Sequence, residues 1–277
     1  MHDFENRRLD LQRRTDAAIQ HGGRIVTMTD QVVAETIIRD YFRGHPVQTP
    51  RHVVDVGACY GTIANVFLKD GWTADLFEPD PACQYQLQGL LAKYGARARL
   101  FPHAVTGADQ EAVAFHQNAI PGLSGLSCSP FGSARAELSV RAVRLGGFLA
   151  SVGVTAVDFL KIDTEGNDFE VLASHDFSTL APALVFVEFS FYFAGQDQRA
   201  LAGALARMRA LGYCAVIFEY RDDGNFRRNN WTHRLVAAHL EDGRLPTAAD
   251  AFGNVLFYRD GDSVLLDTLA TSIDAPR

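Results

Sequence analysis

The sequence decides its fold class between His52 and Lys69, where it reads HVVDVGACYGTIANVFLK. The β-branched run up to Val56 predicts a buried strand, and Gly57 follows it with the backbone freedom that a tight turn requires. The apolar positions after Ile63 then recur with helical spacing. A strand that passes through a glycine turn into a helix is the repeating unit of a parallel sheet.

Strand and helix patterns keep alternating through the rest of the chain. This order favours one mostly parallel sheet with helices on both faces, right-handed crossovers, and ligand sites at the carboxyl ends of its strands. Two of the predicted strands, 112–116 and 139–144, could pair antiparallel around a polar, glycine-rich loop at 118–135. The predicted strands cover 52–56, 74–78, 98–103, 112–116, 139–144, 157–162, 184–188, 214–218 and 254–258, and the predicted helices cover 63–69, 83–94, 169–173 and 199–211.

The first fifty residues differ from this pattern, because they predict helices only. Residues 7–20 are charged with few aliphatic positions, whereas residues 30–42 carry an apolar stripe at helical spacing. Two prolines, Pro46 and Pro50, then interrupt the chain. We therefore divide the sequence into an N-terminal helical segment, residues 1–50, and an α/β domain, residues 51–277.

Composition and charge are those of an ordinary globular protein, with 47% hydrophobic residues, 21% charged residues and a net charge of −7. An acidic surface weakly repels phosphate backbones and anionic lipids, so we expect neither nucleic acid nor a membrane as partner. The N-terminus is polar and charged, unlike a signal peptide, and the apolar stretches are too short to span a bilayer. Four scattered cysteines favour a reducing compartment, and we expect a cytoplasmic protein.

Glu78 ends the second predicted strand, 21 residues after Gly57. An acidic side chain at this offset accepts hydrogen bonds from ribose hydroxyls in nucleoside-binding α/β folds, and Pro79 fixes the turn behind it. The helix N-terminus after Gly57 favours a negatively charged group such as a carboxylate. Two plainer interpretations stay open, since Gly57 could serve tight strand–helix packing and Glu78 could be a solvated carboxylate.

The residue two positions after Gly57 indicates which nucleoside fits. A dinucleotide site has glycine there to admit a pyrophosphate, but this chain has Cys59. A side chain at that point favours a phosphate-free ligand whose amino-acid end lies near the turn, and S-adenosylmethionine (SAM) is such a ligand. Asp55 could organise the site or meet the ligand's ammonium group. A nicotinamide-dependent oxidoreductase is correspondingly disfavoured.

The most specific stretch reads VDFLKIDTEGNDFEVL, residues 157–172. Strand alternation places Lys161 and Asp163 on the same side, where an ion pair is feasible. Asp163 and Glu165 follow the strand at the carboxyl edge of the sheet, which favours a functional role. Asp168 and Glu170 fall at the start of the next helix, where stabilisation of the helix end explains them equally well.

At these motifs the chain resembles the FkbM-type SAM-dependent methyltransferases. The resemblance covers roughly residues 53–188 and rests on DVGACYG at 55–61, on FEP at 77–79 and above all on KIDTEG at 161–166, with Val171-Leu172 and Val187-Glu188 fitting as well. It implies a Rossmann-like class I methyltransferase with a seven-stranded sheet, six strands parallel and one antiparallel near the C-terminus. Two positions depart from the family pattern, Cys59 in place of Asn and Gly146-Gly147 in place of acidic residues.

The resemblance also implies a cofactor and its site. SAM would lie with its methionine part beside the glycine turn, its ribose on Glu78 and its adenine near His103, Ala104 and Val105. Asp163 and Glu165 would face the methyl-transfer site and are the predicted catalytic residues. We predict no metal ligands, although a carboxylate cluster could bind a divalent cation. The predicted cofactor-binding residues are Asp55, Gly57, Ala58, Gly61, Glu78, Pro79, His103, Ala104, Val105 and Asp163.

The expected reaction is O-methylation of a hydroxyl on a sugar, a glycan or a small natural product. A hydroxyl has a high pKa, so a positioned base should help, with Asp163 as first candidate and then Glu165, Glu188 or His103. Two alternatives remain, a non-catalytic SAM-binding module and, less favoured, an NAD-dependent oxidoreductase. The stretches 124–127 and 222–233 could border the acceptor, and the N-terminal helices could cover it or form a homodimer contact.

Overall fold

The computed structural model describes residues 2–21, 30–222, 233–240 and 244–274. The predicted acceptor loop at 222–233 falls almost entirely outside the described residues. Within the described ranges, no helix is both long enough and apolar enough to cross a membrane.

The described chain alternates strands and helices after an entirely helical start, as the sequence predicted. The helices are α1 (His2–Gln20), α2 (Asp30–Val33), a π-helical turn (Ala34–Ile38), α3 (Arg39–Arg43), α4 (Thr62–Lys69), α5 (Pro81–Tyr94), a 3₁₀ turn (Gly95–Arg97), α6 (Leu145–Ser151), α7 (Asp168–Ser174), α8 (Gln198–Ala210) and α9 (Ser263–Asp274). The strands are β1 (His52–Val56), β2 (Thr73–Phe77), β3 (Ala98–Phe101), β4 (Ala104–Thr106), β5 (Gln110–Asn118), β6 (Ala134–Arg144), β7 (Phe159–Ile162), β8 (Leu184–Ser190), β9 (Tyr213–Asp222), β10 (His233–His239) and β11 (Phe252–Arg259).

The main sheet has the order β10-β9-β11-β8-β7-β1-β2-β3. Strands β3, β2, β1, β7 and β8 pair in parallel, and β11 lies antiparallel between β8 and β9. β9 therefore runs in the same direction as β8, which confirms the six parallel strands and the one antiparallel strand near the C-terminus. Because the parallel strands point the same way, their carboxyl ends form one edge.

The main sheet contains an eighth strand that the seven-stranded prediction lacks. β10 pairs antiparallel with the outer edge of β9 and has a register shift between Leu235 and Ala237. Its sequence, HRLVAAH, has a single β-branched residue and no clear alternation, so local propensity does not indicate a strand. The neighbouring edge of β9, whose unpaired backbone groups require partners, explains the strand instead.

A second, three-stranded sheet has the order β4-β6-β5 and follows β3 in the chain. β5 and β6 pair antiparallel, as predicted for 112–116 and 139–144, and β4 adds a parallel strand. The helix α6 was not predicted, because Gly146-Gly147 has low helical propensity. A Cβ at Gly146 would lie 2.9 Å from the backbone nitrogen of Asp176, so this glycine permits α6 to pack on the segment after α7.

Two hydrophobic clusters cover the two faces of the main sheet, and successive strand residues alternate between them. Val53 belongs to the cluster on the α4 side, whereas Val54 belongs to the cluster on the α7 side. The N-terminal helices contribute Leu11, Ile37 and Phe42 to the cluster on the α4 side, so these helices share a core with the sheet.

Candidate functional site at the carboxyl edge of the sheet

The glycine turn after β1 joins the ends of three strands. The backbone N–H groups of Gly57 and Ala58 both donate to the carbonyl oxygen of Phe77, at 3.0 and 3.1 Å. Gly57 has a φ of 73°, and a Cβ at this position would lie 1.7 Å from the carbonyl oxygen of Asp163. Glycine is required here by the close approach of two backbone segments, the turn after β1 and the segment after β7, and not by strand–helix packing.

An open cleft at this edge encloses about 580 Å³ of empty space, part of it continuous with solvent. Its walls bring together most of the predicted site residues: Gly57, Glu78, Pro79, His103, Ala104, Val105, Asp163 and Glu165. They also include Ser124 and Leu126, from the stretch predicted to border the acceptor, and residues that were not selected from the sequence, namely Val56, Cys59, Phe77, Asp80, Cys83, Phe115, Gly122, Thr164 and Asn167. Several of these directly follow a strand, the signal that could have identified them.

Three predicted cofactor-binding residues lie behind the cleft wall. Ala58 is 5% exposed and packs in the hydrophobic cluster on the α4 side. A Cβ at Gly61 would lie 2.8 Å from the side chains of Leu87 and Leu90, so Gly61 serves the packing of α5. Asp55 is fully buried beneath the turn. For Ala58 and Gly61, the structure shows packing contacts in place of contacts with the cleft.

Glu78 follows β2 and holds its carboxylate in the cleft wall. Its Oε2 accepts the backbone N–H of Cys59 at 2.7 Å, and its Oε1 accepts that of Asp80 at 2.8 Å. Burial raises the pKa of Glu78 to about 7, although these two N–H donors act in the opposite direction. Each carboxylate oxygen has a second lone pair, so the group can accept two further hydrogen bonds from vicinal hydroxyls.

Asp80 ties the start of α5 to the loop that covers the cleft. Its Oδ1 accepts the backbone N–H of Ala82 and the side-chain amide of Gln117, at 2.8 and 2.7 Å. Its Oδ2 accepts the hydroxyl of Ser124 at 2.7 Å. Gly125 follows, and a Cβ there would lie 3.0 Å from the carbonyl oxygen of Glu165. Ser124 and Leu126 therefore line the cleft, and the role of the stretch 124–127 at the acceptor stays a prediction.

Lys161 connects the floor of the cleft to its edge. Its Nζ lies 3.2 Å from Oδ1 of Asp55 and 3.4 Å from Oδ2 of Asp163, and it donates to the carbonyl oxygen of Gly57 at 2.6 Å. Lys161 is 5% exposed, so the ammonium group is withdrawn from solvent. The predicted ion pair with Asp163 is present. Asp55 takes part in the same network, which supports the role of organising the site.

Asp168 shapes the turn that carries Glu165. Its carboxylate accepts the backbone N–H groups of Thr164 and Gly166, at 2.6 and 3.2 Å, and the side-chain amide of Gln196 at 2.8 Å. Glu165 adopts a φ of 57°, a backbone conformation that residues other than glycine rarely take. The hydrogen bonds of Asp168 to the neighbouring backbone stabilise this conformation. Asp168 is fully buried, which helix-end stabilisation alone does not explain.

Three carboxylates meet at the edge of the sheet: Asp163, Glu165 and Glu188 of β8. One oxygen of each lies within 4.8 Å of the others. Burial and the neighbouring negative charges raise the pKa of Glu165 and of Glu188 well above the usual range. Such a group of carboxylates can share protons or, since hard divalent cations prefer oxygen ligands, hold a metal ion.

The segment His103–Val105 forms another part of the wall. Asn167 donates from its side chain to the carbonyl oxygen of Val105 at 3.0 Å, which links this segment to the turn after β7. The ring of His103 packs edge-on against Phe148 with a centroid distance of 5.4 Å. Burial lowers the pKa of His103, so the ring is neutral at neutral pH.

This strand order, with a glycine turn after β1 and a buried acid after β2, is that of the class I SAM-dependent methyltransferase fold. The chain belongs to the FkbM methyltransferase family, since the methyltransferase FkbM domain matches residues 55–214, more than half of its length. The predicted family, fold class and cofactor, SAM, are thereby confirmed. No functionally curated protein matches the chain significantly.

Several solved structures with a similar chain trace are methyltransferases of low sequence identity. The precorrin-6y C5,15-methyltransferase of Geobacter metallireducens is 10% identical, with a TM-score of 0.42 over 86% of this chain and 92% of its own. The O-methyltransferase TomG of Streptomyces achromogenes, in complex with SAM, is 9% identical, with a TM-score of 0.42 over 91% and 89%. The N-terminal domain of human METTL16, in complex with SAH, is 11% identical, with a TM-score of 0.41 over 80% and 66%.

Proposed function

We propose that the protein transfers the methyl group of SAM to a hydroxyl oxygen on a sugar, a glycan or a small natural product. One observation carries the proposal. The carboxylates of Asp163 and Glu165 line the same cleft as Glu78, and Glu188 lies beside them. Carboxylates next to a cofactor cleft can orient a hydroxyl and accept its proton.

The residues that line the cleft suit the chemistry of SAM. Glu78 would accept hydrogen bonds from the ribose hydroxyls, the turn from Gly57 to Cys59 would border the methionine part, and His103 to Val105 would border the adenine. When bound, SAM supplies a methyl group on a sulfonium, which is already activated for transfer. The chain then has to orient the acceptor in line with that methyl group and exclude water.

Asp163 is the base that the geometry favours. The Nζ of Lys161 lies 3.4 Å from Oδ2 of Asp163, and the same Nζ forms an ion pair with the buried Asp55. This buried network fixes the position of the Asp163 carboxylate. One carboxyl oxygen of Glu165 and one of Glu188 lie within 4.8 Å of an oxygen of Asp163. Burial raises the pKa of both glutamates and so favours their protonated forms, which leaves Asp163 as the member of the group that accepts the hydroxyl proton.

Aromatic side chains on the face of the sheet that carries Glu188 support an acceptor with an apolar face. Ser190 lies two positions after Glu188 in β8, so both residues point to the same face of the sheet. Phe252 pairs in register with Ser190 and also with Tyr220. The rings of Phe252 and Tyr220 therefore lie on the Glu188 face. Tyr192 extends the group, with its ring centroid 6.0 Å from that of Phe252. Rings beside carboxylates suit a molecule that combines apolar surface with hydroxyls, such as a sugar ring or a natural product.

The proposal is tested by incubating the full chain with SAM and a panel of hydroxylated sugars, glycans and natural products. Mass spectrometry should detect a mass gain of one methylene in at least one acceptor. A SAM sample labelled at the methyl carbon then allows nuclear magnetic resonance to distinguish a methyl ether from an N-methyl or C-methyl product. Tight SAM binding without methylation of any acceptor would support the non-catalytic binding module instead.

Asp163→Asn separates catalysis from cofactor binding. At saturating acceptor the variant should turn over about a hundredfold more slowly, because the base is lost, while its affinity for SAM by calorimetry changes by less than about threefold. Glu111→Gln, an equivalent change at a side chain that is 92% exposed, is the control and should match the wild type. Equal turnover of Asp163→Asn and the wild type would remove Asp163 from this role.

A further inference from the structure

Two of the four cysteines meet in the wall of the cofactor cleft. The Sγ of Cys83 lies 3.7 Å from the Sγ of Cys59 and donates its hydrogen to it. Both residues line the cleft. The other two cysteines lie apart from this pair, Cys128 on the exposed surface and Cys214 buried with its Sγ beside Arg209. The pair therefore combines proximity of two thiols with a position at the ligand.

The two thiols differ in access and in acidity. Cys59 is half-buried on the turn, whereas Cys83 is 1% exposed in the first turn of α5. Two effects raise the pKa of Cys83 above its usual value: the larger is the hydrogen bond to Cys59, and the second is burial of the thiol. An oxidant that enters the cleft therefore meets Cys59 first, with the protonated thiol of Cys83 directly behind it.

We propose that Cys59 and Cys83 form a disulfide when the protein meets a hydroperoxide, and that this disulfide weakens SAM binding. The Cys59 thiolate attacks one peroxide oxygen and breaks the O–O bond, which forms a sulfenic acid and releases hydroxide. The Cys83 sulfur then attacks the Cys59 sulfur, and the leaving hydroxyl departs as water with the Cys83 proton. The first hydroxide takes the proton that the Cys59 thiol had lost. The two thiols lose two electrons, and hydrogen peroxide is reduced to two waters.

The consequence for the cofactor follows from what Cys59 contacts. The sulfurs lie 3.7 Å apart and a disulfide needs about 2.05 Å, so forming the bond requires the two side chains to rotate and places a new constraint on the turn relative to α5. The backbone N–H of Cys59 donates to Oε2 of Glu78 at 2.7 Å. The Sγ of Cys59 lies close to Gly122, since a Cβ added to Gly122 would be 3.3 Å from it. Movement of the turn therefore disturbs the Glu78 carboxylate and the loop over the cleft. This consequence rests on the proposed ribose site at Glu78, whereas the disulfide itself does not.

Peptide mapping tests the disulfide directly, because trypsin separates all four cysteines. The full chain is treated with hydrogen peroxide, free thiols are alkylated, and the protein is digested without reductant. We expect peptide 52–69 linked to peptide 70–93, two hydrogens lighter than their sum and absent after treatment with dithiothreitol. Cys128 reports whether the oxidant acted. Oxidised Cys128 together with separate, alkylated 52–69 and 70–93 peptides would overturn the proposal.

Calorimetry tests the effect on the cofactor. Oxidised wild type should bind SAM about tenfold more weakly than the reduced protein, with recovery in dithiothreitol. The control variant Cys128→Ser should lose SAM affinity on oxidation as the wild type does. Cys59→Ser should bind SAM with the same affinity before and after treatment with peroxide. A linked pair with unchanged SAM affinity would refute the proposed weakening of SAM binding. An equal loss in Cys59→Ser would assign the effect to another residue and overturn the proposal as well.

Discussion

The Nζ atom of Lys161 lies 3.2 Å from Oδ1 of Asp55, and both side chains are buried beneath the cofactor cleft. The same ammonium group reaches the carbonyl oxygen of Gly57 and the carboxylate of Asp163. One buried cation therefore connects the glycine turn after β1 with the proposed base after β7. Since the two strands are neighbours in the sheet, the pair fixes the spacing of the two functional ends.

Lys161→Met should destabilise the protein by about 3–5 kcal/mol near neutral pH, because it leaves the buried carboxylate of Asp55 without its cation. Burial already raises the pKa of Asp55, and Lys161 opposes that rise. In the variant the native state favours the protonated acid, so stability is greatest in acid and falls as pH rises. Denaturant unfolding at several pH values measures this. A loss of stability that does not depend on pH would contradict it.

Asp55→Asn combined with Lys161→Met provides the double-mutant control. If the two groups act as a pair, the double variant should lose clearly less stability than the sum of the single variants. Additive losses would show that Lys161 is held by its other contacts and not by Asp55.

Gly57→Ala should destabilise the protein by about 3 kcal/mol or more, since it combines an unfavourable φ with a clash against backbone. Its Cβ would lie 1.7 Å from the carbonyl oxygen of Asp163. Gly153→Ala is the matched control, because Gly153 has a similar φ of 77° but nothing within 4 Å of an added Cβ. It should cost about 1 kcal/mol. Equal losses in thermal or denaturant unfolding would mean that the close approach of β1 and β7 does not matter.

Asp168→Asn should loosen the turn from Thr164 to Gly166, because an amide cannot accept from both backbone N–H groups and from Gln196. Hydrogen exchange of the Thr164 and Gly166 amides should speed up by about tenfold or more. Glu170→Gln removes an exposed acid from the same helical turn and should leave these amides unchanged. Similar effects of the two substitutions would favour simple stabilisation of the helix end.

The affinity for SAM should rise with pH through about 7, the value to which burial raises the pKa of Glu78. Binding to ribose hydroxyls favours the ionised carboxylate, so protons are released on binding below that pH and the affinity levels off above it. Calorimetry in buffers of different ionisation enthalpy measures the released protons. Glu78→Gln should bind more weakly and without this pH dependence. A pH dependence that persists in the variant would place the titrating group elsewhere.

Local sequence was sufficient for the part of the fold that carries the cofactor cleft. The β1 strand, the glycine turn and the α4 helix follow from short-range patterns, and Glu78 was placed by its position at a strand end. Asp55 remained ambiguous, because its partner Lys161 becomes its neighbour only when β1 and β7 pair. The proximity of Gly61 to Leu87 and Leu90 was hidden from the sequence for a similar reason, since it depends on how α5 packs, and the role of Gly61 at the cofactor stays a prediction.

Other features depended on tertiary contacts that no local pattern records. The helix α6 contains Gly146-Gly147 and forms because close packing on Asp176 outweighs low propensity. The strand β10 forms against an available edge of β9. The proximity of Cys59 to Cys83 follows from the turn of the chain between β2 and α5, and neither residue lies in a recognisable cysteine motif.

A crystal structure of the protein with S-adenosylhomocysteine tests the central claim most directly. We predict that both ribose hydroxyls lie within hydrogen-bonding distance of Glu78 and that the sulfur faces Asp163. An adenosyl group bound outside the cleft, or bound inside it without contact to Glu78, would contradict the account.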